Sequence, residues 1–99
     1  MTFISHMEIT VRSGTRAAAI EAFVNRRVFE ECAEAIPGFL GARLLEEQGV
    51  PDEIAVVSDW QDRASYAAWL AHPVRARQES DLAHFIAEPP RIKLYQRRG

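Results

Sequence analysis

The segment Glu53–Trp60 is the most apolar strand pattern in the chain, because its run Ile54–Val57 has no polar interruption. Successive side chains of a strand point to opposite faces of a sheet, so this run places apolar groups on both faces. A strand of this kind needs cover on both sides. We therefore expect a sheet with helices against one face and further protein against the other.

The length and composition of the chain indicate one small globular domain. A chain of 99 residues leaves little room for a second core, so we predict a single domain over residues 1–99. The apolar fraction of 47% is enough for a core, and the charged fraction of 26% gives a hydrophilic surface. The formal net charge is −2, and basic residues are scattered without interleaved aromatics. We expect no nucleic-acid or membrane partner.

Alternating and helical hydrophobic periods follow one another in a definite order. A period of two predicts four strands, at 3–11, 39–47, 53–60 and 92–96. Apolar residues three and four apart predict one long helix, which Thr15 caps and Pro37-Gly38 ends. Asp62 begins a short helix that His72-Pro73 interrupts, and a third helix follows over 74–87.

The order of these elements is β-α-β-β-α-(α)-β. It predicts an α+β, ferredoxin-like fold with a four-stranded antiparallel sheet. Such a sheet carries helices on one face and leaves the other open, and so short a chain has nothing left to cover the open face. A second copy of the chain, packed sheet to sheet around a twofold axis, is the simplest cover. We therefore predict a homodimer.

The few cysteine and histidine residues limit the cofactors that the chain can hold. Cys32 is the single cysteine, so it cannot form an internal disulfide, and its place in a helical pattern indicates a small buried group. The three histidines are too widely separated for a recognised zinc motif, and no glycine-rich phosphate loop is present. We expect no metal and no cofactor. The beginning of the chain does not resemble a signal peptide, so we predict a cytoplasmic location.

Three stretches of the chain resemble the antibiotic biosynthesis monooxygenase family of the dimeric α+β barrel superfamily. They are Ile36-Pro37-Gly38-Phe39-Leu40-Gly41, Val57-Ser58-Asp59-Trp60 and the segment from Asp62 to Pro73. The resemblance covers nearly the whole chain. It implies a ferredoxin-like protomer, a dimeric barrel and a pocket between helices and sheet. It also implies oxidation of polycyclic phenols to quinones by molecular oxygen without flavin or metal.

The family also contains haem-cleaving enzymes, which this chain resembles at Trp69 only. The asparagine that those enzymes carry on their first strand corresponds to Met7, and Glu79 stands where their iron-binding histidine belongs. Both groups that the haem reaction needs are replaced. Haem degradation is therefore ranked low.

Oxidation of a phenol without a cofactor requires an electron-rich substrate anion and a proton source inside an apolar pocket. Trp69 is expected to stack on a flat substrate. The predicted catalytic residues are Trp69, Glu79 and His72. The predicted substrate-binding residues are Ser5, Met7, Phe23, Tyr66, Gln78 and Phe85.

Each catalytic assignment has a structural alternative that the sequence leaves open. In the structural alternative, Trp69 is a core tryptophan, His72 is an exposed loop residue and Glu79 is a solvated surface charge.

The sequence supports two candidate functions. The first is a cofactor-independent monooxygenase that oxidises an aromatic or polyketide-like molecule. The second is a non-catalytic dimeric domain that binds a small hydrophobic metabolite, which Met7 favours because it cannot anchor an oxyanion.

Overall fold

The computed structural model describes residues 2–99 and contains strands and helices in the predicted order. The strands are β1 (Phe3–Thr10), β2 (Phe39–Glu46), β3 (Glu53–Trp60) and β4 (Arg91–Gln96). The helices are α1 (Arg16–Asn25), α2 (Val28–Ala35), α3 (Arg63–Leu70) and α4 (Pro73–Leu82), and a 3₁₀ turn spans Ala83–Phe85. No helix within residues 2–99 is long and apolar enough to cross a membrane.

The four strands form one antiparallel sheet in the order β2-β3-β1-β4. The first strand is therefore central and pairs with both β3 and β4, which is the arrangement of a ferredoxin-like fold. The predicted α+β, ferredoxin-like class is confirmed. In the register between β1 and β3, Ser5 lies opposite Ser58 and Met7 lies opposite Val56.

The two faces of the sheet differ in burial along β3. The face that carries Ile54, Val56, Ser58 and Trp60 lies under the helices and is buried, whereas the alternating positions are only half-buried. The helix-covered face supplies two apolar clusters, one around Ile54 and one around Trp60. The other face, which we call the open face, is not covered by any helix of the described residues.

The predicted long first helix is wrong, because the chain forms two helices there. The break lies at Arg27, whose backbone is left-handed with a φ of 58°. Phe23 before the break and Cys32 after it are both buried, each in a different apolar cluster. The turn of the chain at Arg27 thus allows one amphipathic stripe to reach both clusters. Thr15 stands at the cap position, but its hydroxyl donates to the Arg12 carbonyl instead of capping the helix.

The break at His72-Pro73 separates α3 from α4, as predicted. The Asp62 carboxylate caps α3 by accepting a hydrogen bond from the Ser65 backbone N–H at 2.8 Å. The last predicted helix ends earlier than the sequence indicates. It stops at Leu82, and the 3₁₀ turn follows, after which Ile86 forms an isolated bridge with Val11.

The beginning of β2 contains an irregularity that the alternation of the sequence does not reveal. Phe39 pairs with Trp60 and Gly41 pairs with Asp59, so Leu40 is an extra residue and is exposed. Gly41 has a φ of 152°, a conformation that a residue with a side chain rarely adopts. The bulge brings Ala42 and Leu44, which pair with Ser58 and Val56, onto the helix-covered face.

Candidate functional site

A cavity of about 400 Å³ lies between the helices and the covered face of the sheet. Cavities that bind small molecules commonly have volumes of about 300–1,000 Å³. The predicted site residues that line it are Ser5, Met7, Phe23, Tyr66, Trp69, Gln78 and Glu79. Two other predicted site residues, His72 and Phe85, lie outside the lining. The folded chain therefore brings most of the predicted site together.

Two serines and a tryptophan form the polar floor of this cavity. Ser5 and Ser58 lie opposite each other on β1 and β3, and both are buried. The indole N–H of Trp60 donates a hydrogen bond to the Ser5 hydroxyl oxygen at 3.0 Å. Because this bond occupies one lone pair of that oxygen, the Ser5 O–H remains available as a donor. Neither Trp60 nor Ser58 was among the site residues predicted from the sequence.

Tyr66 of α3 packs against Trp60, the aromatic residue of the cavity floor. Its ring centroid lies 5.5 Å from that of Trp60 in an edge-to-face arrangement and 5.6 Å from that of Phe3. Burial raises the pKa of the Tyr66 phenol, and the positive charge of Arg75 opposes that effect. The phenol is therefore protonated at neutral pH and can donate a hydrogen bond.

Trp69 is half-buried in the wall of the cavity and is supported from outside by His72. The two rings stack with centroids 6.2 Å apart and planes 22° apart. His72 caps α4, since its Nδ1 accepts a hydrogen bond from the Val74 backbone N–H at 3.1 Å. The neutral imidazole therefore carries its proton on Nε2. In this position His72 orients Trp69 and begins a helix.

Gln78 of α4 is buried and connects the wall of the cavity to α2. Its amide nitrogen donates to the Val28 carbonyl at 3.2 Å and to Glu31 Oε1 at 3.0 Å. Both amide hydrogens are thus engaged, and within residues 2–99 no donor bonds to the amide oxygen. Hydrogen bonds from Arg26 and Gln78 lower the pKa of the Glu31 carboxyl. Gln78 can therefore offer a ligand an acceptor only.

Arg75 is a lining residue that the sequence did not predict as part of the site. Its guanidinium Nη2 lies 2.8 Å from Glu79 Oε1, one turn along the same helix. The Arg75 side chain is 27% exposed and that of Glu79 is 61% exposed, which places this pair at the mouth of the cavity. The spacing of four residues between these opposite charges on one helix was the feature of the sequence that indicated an ion pair.

Cys32 and Phe85 complete the account of the predicted side chains. Cys32 lines the cavity and is buried, and burial raises the pKa of its thiol to about 12. The thiol is therefore protonated and a poor nucleophile.

Phe85 packs on the adjacent His84, with ring centroids 4.2 Å apart, and against the cluster around Ile54. In the described part of the chain, no three His, Cys, Asp or Glu side chains lie together as metal ligands.

A comparison with models of protein families shows to which family this chain belongs. The family model described as antibiotic biosynthesis monooxygenase matches residues 2–78. The chain belongs to the antibiotic biosynthesis monooxygenase family. No curated protein sequence matches it significantly.

Solved structures with the fold of the antibiotic biosynthesis monooxygenase family are similar to this chain over almost its whole length. The cofactor-independent oxygenase SnoaB from Streptomyces nogalater has a TM-score of 0.79 at 21% identity, and the match covers 99% of this chain and 94% of SnoaB. Rv0793 from Mycobacterium tuberculosis has a TM-score of 0.79 at 12% identity, covering 100% of this chain and 97% of Rv0793.

A third similar structure is from Nitrosomonas europaea, and its own assignment as an antibiotic biosynthesis monooxygenase is provisional. Its TM-score is 0.79 at 17% identity, and the match covers 95% of this chain and 88% of that one. At such identities the likeness establishes the fold alone. The substrate and the reaction have to be argued from the cavity of this member of the family.

Proposed function

We propose that this protein is a cofactor-independent monooxygenase that oxidises a flat aromatic molecule with molecular oxygen. The observation that carries the proposal is the largely apolar cavity of about 400 Å³, in which a few polar side chains, among them Ser5, Tyr66 and Gln78, interrupt the apolar lining. Such a cavity can exclude water from an electron-rich ring and still hold its oxygen substituents. Membership of the family and the fold shared with SnoaB support the same reaction class.

In the proposed reaction, an anthrone-like substrate loses a proton from its ring carbon to solvent water at the mouth of the cavity, which gives a carbanion stabilised as a phenolate. That carbon attacks dioxygen, and the resulting peroxide takes up a proton. Loss of water converts the former CH₂ group into the second carbonyl of a quinone. One oxygen atom is thus retained and the other leaves as water, so the four electrons removed from the carbon reduce one dioxygen molecule completely.

The lining residues have distinct roles in this proposal. Trp69 supplies a flat surface for the ring, and the Ser5 hydroxyl donates to a substrate oxygen at the floor. The positive charge of Arg75 stabilises the substrate anion. Tyr66 is the candidate proton donor to the peroxide, because its phenol is protonated and adjoins the cavity. Glu79 orients Arg75, and His72 orients Trp69.

A second candidate function is a domain that binds a small hydrophobic metabolite without reaction. It is favoured by the exposure of Glu79, because Glu79 is the one carboxylate among the described lining residues. A buried carboxylate base is therefore missing from the described cavity wall. Under this alternative the same cavity binds the ligand and nothing in it removes a proton.

We further propose that the open face of the sheet packs against a second copy of the chain. Support comes from apolar side chains on this face that remain accessible, of which Leu45 is 44% and Tyr95 is 49% exposed. Arg91 also lies on this face and contacts Glu8 and Glu53, which supplies paired charges for a contact surface. The twofold arrangement makes each such patch meet its own copy.

The reaction is tested by incubating the purified protein with anthrones and naphthols under air. Quinone absorbance and oxygen consumption should rise together, with one dioxygen consumed per quinone formed. Trp69→Phe should lower the rate at least tenfold by removing the larger stacking surface. Leu70→Ala on the exposed side of α3 is the matched control and should leave the rate unchanged.

Two outcomes would contradict the proposal, the first its site assignment and the second its reaction. An unchanged rate in Trp69→Phe would remove Trp69 from the site. A panel in which some compound raises the melting temperature while none is oxidised would favour the binding domain instead.

A further inference from the structure

We propose that Arg75 binds a carboxylate of the substrate, so that the ligand class is aromatic acids and not neutral aromatics. In this proposal the substrate carboxylate competes with Glu79 for the guanidinium group at the mouth of the cavity. The inference deepens the proposed function, since it rests on the same cavity binding a small aromatic molecule. It concerns recognition and does not depend on whether oxidation follows.

Arg75 is the one positively charged side chain among the described residues that line the cavity. It is half-buried, with 27% of its side chain exposed. Arg75 is therefore accessible both to the cavity that it lines and to solvent. A neutral aromatic ligand would shield this cation from water and leave it only the exposed Glu79 as counter-charge, whereas a ligand carboxylate brings a counter-charge of its own.

The partner that Arg75 has in the structure can be exchanged. Glu79 is 61% exposed, and an ion pair with so exposed a member contributes little to stability. The pair has a single short contact, from Nη2 of Arg75 to Oε1 of Glu79. A guanidinium has five N–H donors and binds a carboxylate best through two parallel hydrogen bonds. A ligand carboxylate shielded from water by the cavity can therefore replace Glu79.

None of the other polar groups that line the cavity carries a positive charge. Both amide hydrogens of Gln78 are engaged by Val28 and Glu31, which leaves only an acceptor. The Trp60 indole N–H is engaged by Ser5. The deep part of the cavity thus binds hydroxyl or carbonyl oxygens, and the charged substituent belongs at the mouth. This arrangement predicts a ring system with its carboxylate at one end.

The test compares 2-naphthoate with its neutral analogue 2-naphthamide by isothermal titration calorimetry at pH 7. The wild-type protein should bind the carboxylate at least tenfold more tightly. Arg75→Gln should weaken carboxylate binding about tenfold or more and leave the amide unchanged, because a hydrogen-bonded charge pair is lost. Glu79→Gln should strengthen carboxylate binding several-fold by removing the competitor. Arg77→Gln, an exposed arginine of the same helix, is the matched control.

The opposite effects of Arg75→Gln and Glu79→Gln separate recognition from a structural role. If Arg75→Gln weakens both ligands equally, Arg75 only shapes the cavity and the inference is wrong. The inference is also wrong if Glu79→Gln weakens the carboxylate or leaves its affinity unchanged. If quinones form from neutral substrates without any carboxylate preference, only this inference fails. If neither ligand binds, the inference and the proposed function fail together.

Discussion

The thiol of Cys32 couples the stability of the protein to alkaline pH. Burial raises its pKa from the ordinary 9.0 to about 12, so the folded state holds the proton more tightly than the unfolded state. Below pH 9 both states carry the proton and stability does not depend on this group. Between pH 9 and 12 only the unfolded state releases it, so the free energy of unfolding decreases as the pH rises.

We predict that this decrease approaches ~1.4 kcal/mol per pH unit above the unfolded-state pKa. Cys32→Ala should remove it. Urea-induced unfolding between about pH 8 and 9.5 measures the slope, because well below its ordinary pKa of 10.0 the Tyr66 phenol is mostly protonated in the unfolded state and contributes less than the thiol. Equal slopes in wild type and Cys32→Ala would contradict a buried, protonated thiol. Cys32→Ala is also expected to change the free energy of unfolding below pH 9, but only the dependence of that free energy on pH reports the titration of the thiol.

Individual side chains also show where the sequence sufficed and where it did not. Ser5 and Trp69 were predicted to belong to the site because alternation and helical period fix the face of an element on which a residue lies. Arg75 was missed, because a charged residue at the polar start of a helix does not reveal that it lines a cavity. The capping role of His72 depends on a rotamer that periodicity does not specify.

At the scale of the element, the break between α1 and α2 is the largest departure from the sequence prediction. Arg26 and Arg27 continue the helical period, so nothing in the pattern marks the break. Contacts with α4 hold the chain at this break: Arg26, which also binds the nearby Glu31, binds Asp81, and Gln78 binds the Val28 carbonyl. The two contacts with α4 join residues far apart in sequence, which local periodicity cannot report. The ferredoxin-like class, by contrast, followed from the order of the elements along the chain.

The left-handed backbone at Arg27 gives the second prediction. A residue with a side chain loses about 1–2 kcal/mol in that conformation, and glycine does not. Arg27→Gly should therefore raise the free energy of unfolding by about 0.5–1 kcal/mol, because the exposed Arg27–Glu34 ion pair that it removes contributes little. Arg27→Val, with a branched side chain, should lower it by about 1–2 kcal/mol. Thermal and urea unfolding measure both, and a less stable glycine variant would contradict the strained break.

At the scale of the whole molecule, the composition of the open face of the sheet bears on whether the chain is a monomer or a dimer. Its centre is Val57, which lies opposite His6 on β1 and opposite Arg43 on β2. His6 Nδ1 and Glu8 Oε1 are 3.9 Å apart, which is too far for a hydrogen bond, whereas Glu8 is paired with Arg91. The face is thus a mixture of apolar and paired charged groups. This composition suits a surface that packs against a second copy.

Native mass spectrometry and sedimentation at micromolar concentration should therefore find a dimer. Val57→Lys should convert it to a monomer, because the new ammonium would lie beside Arg43 and meet its own twofold copy across the interface. Val24→Lys is the matched control, since Val24 is 63% exposed on α1, away from the sheet, and should leave the dimer intact. A wild-type monomer would contradict the dimeric barrel. Because the cavity lies on the other side of the sheet, a monomeric Val57→Lys that still binds naphthoate would show that each protomer carries a complete site.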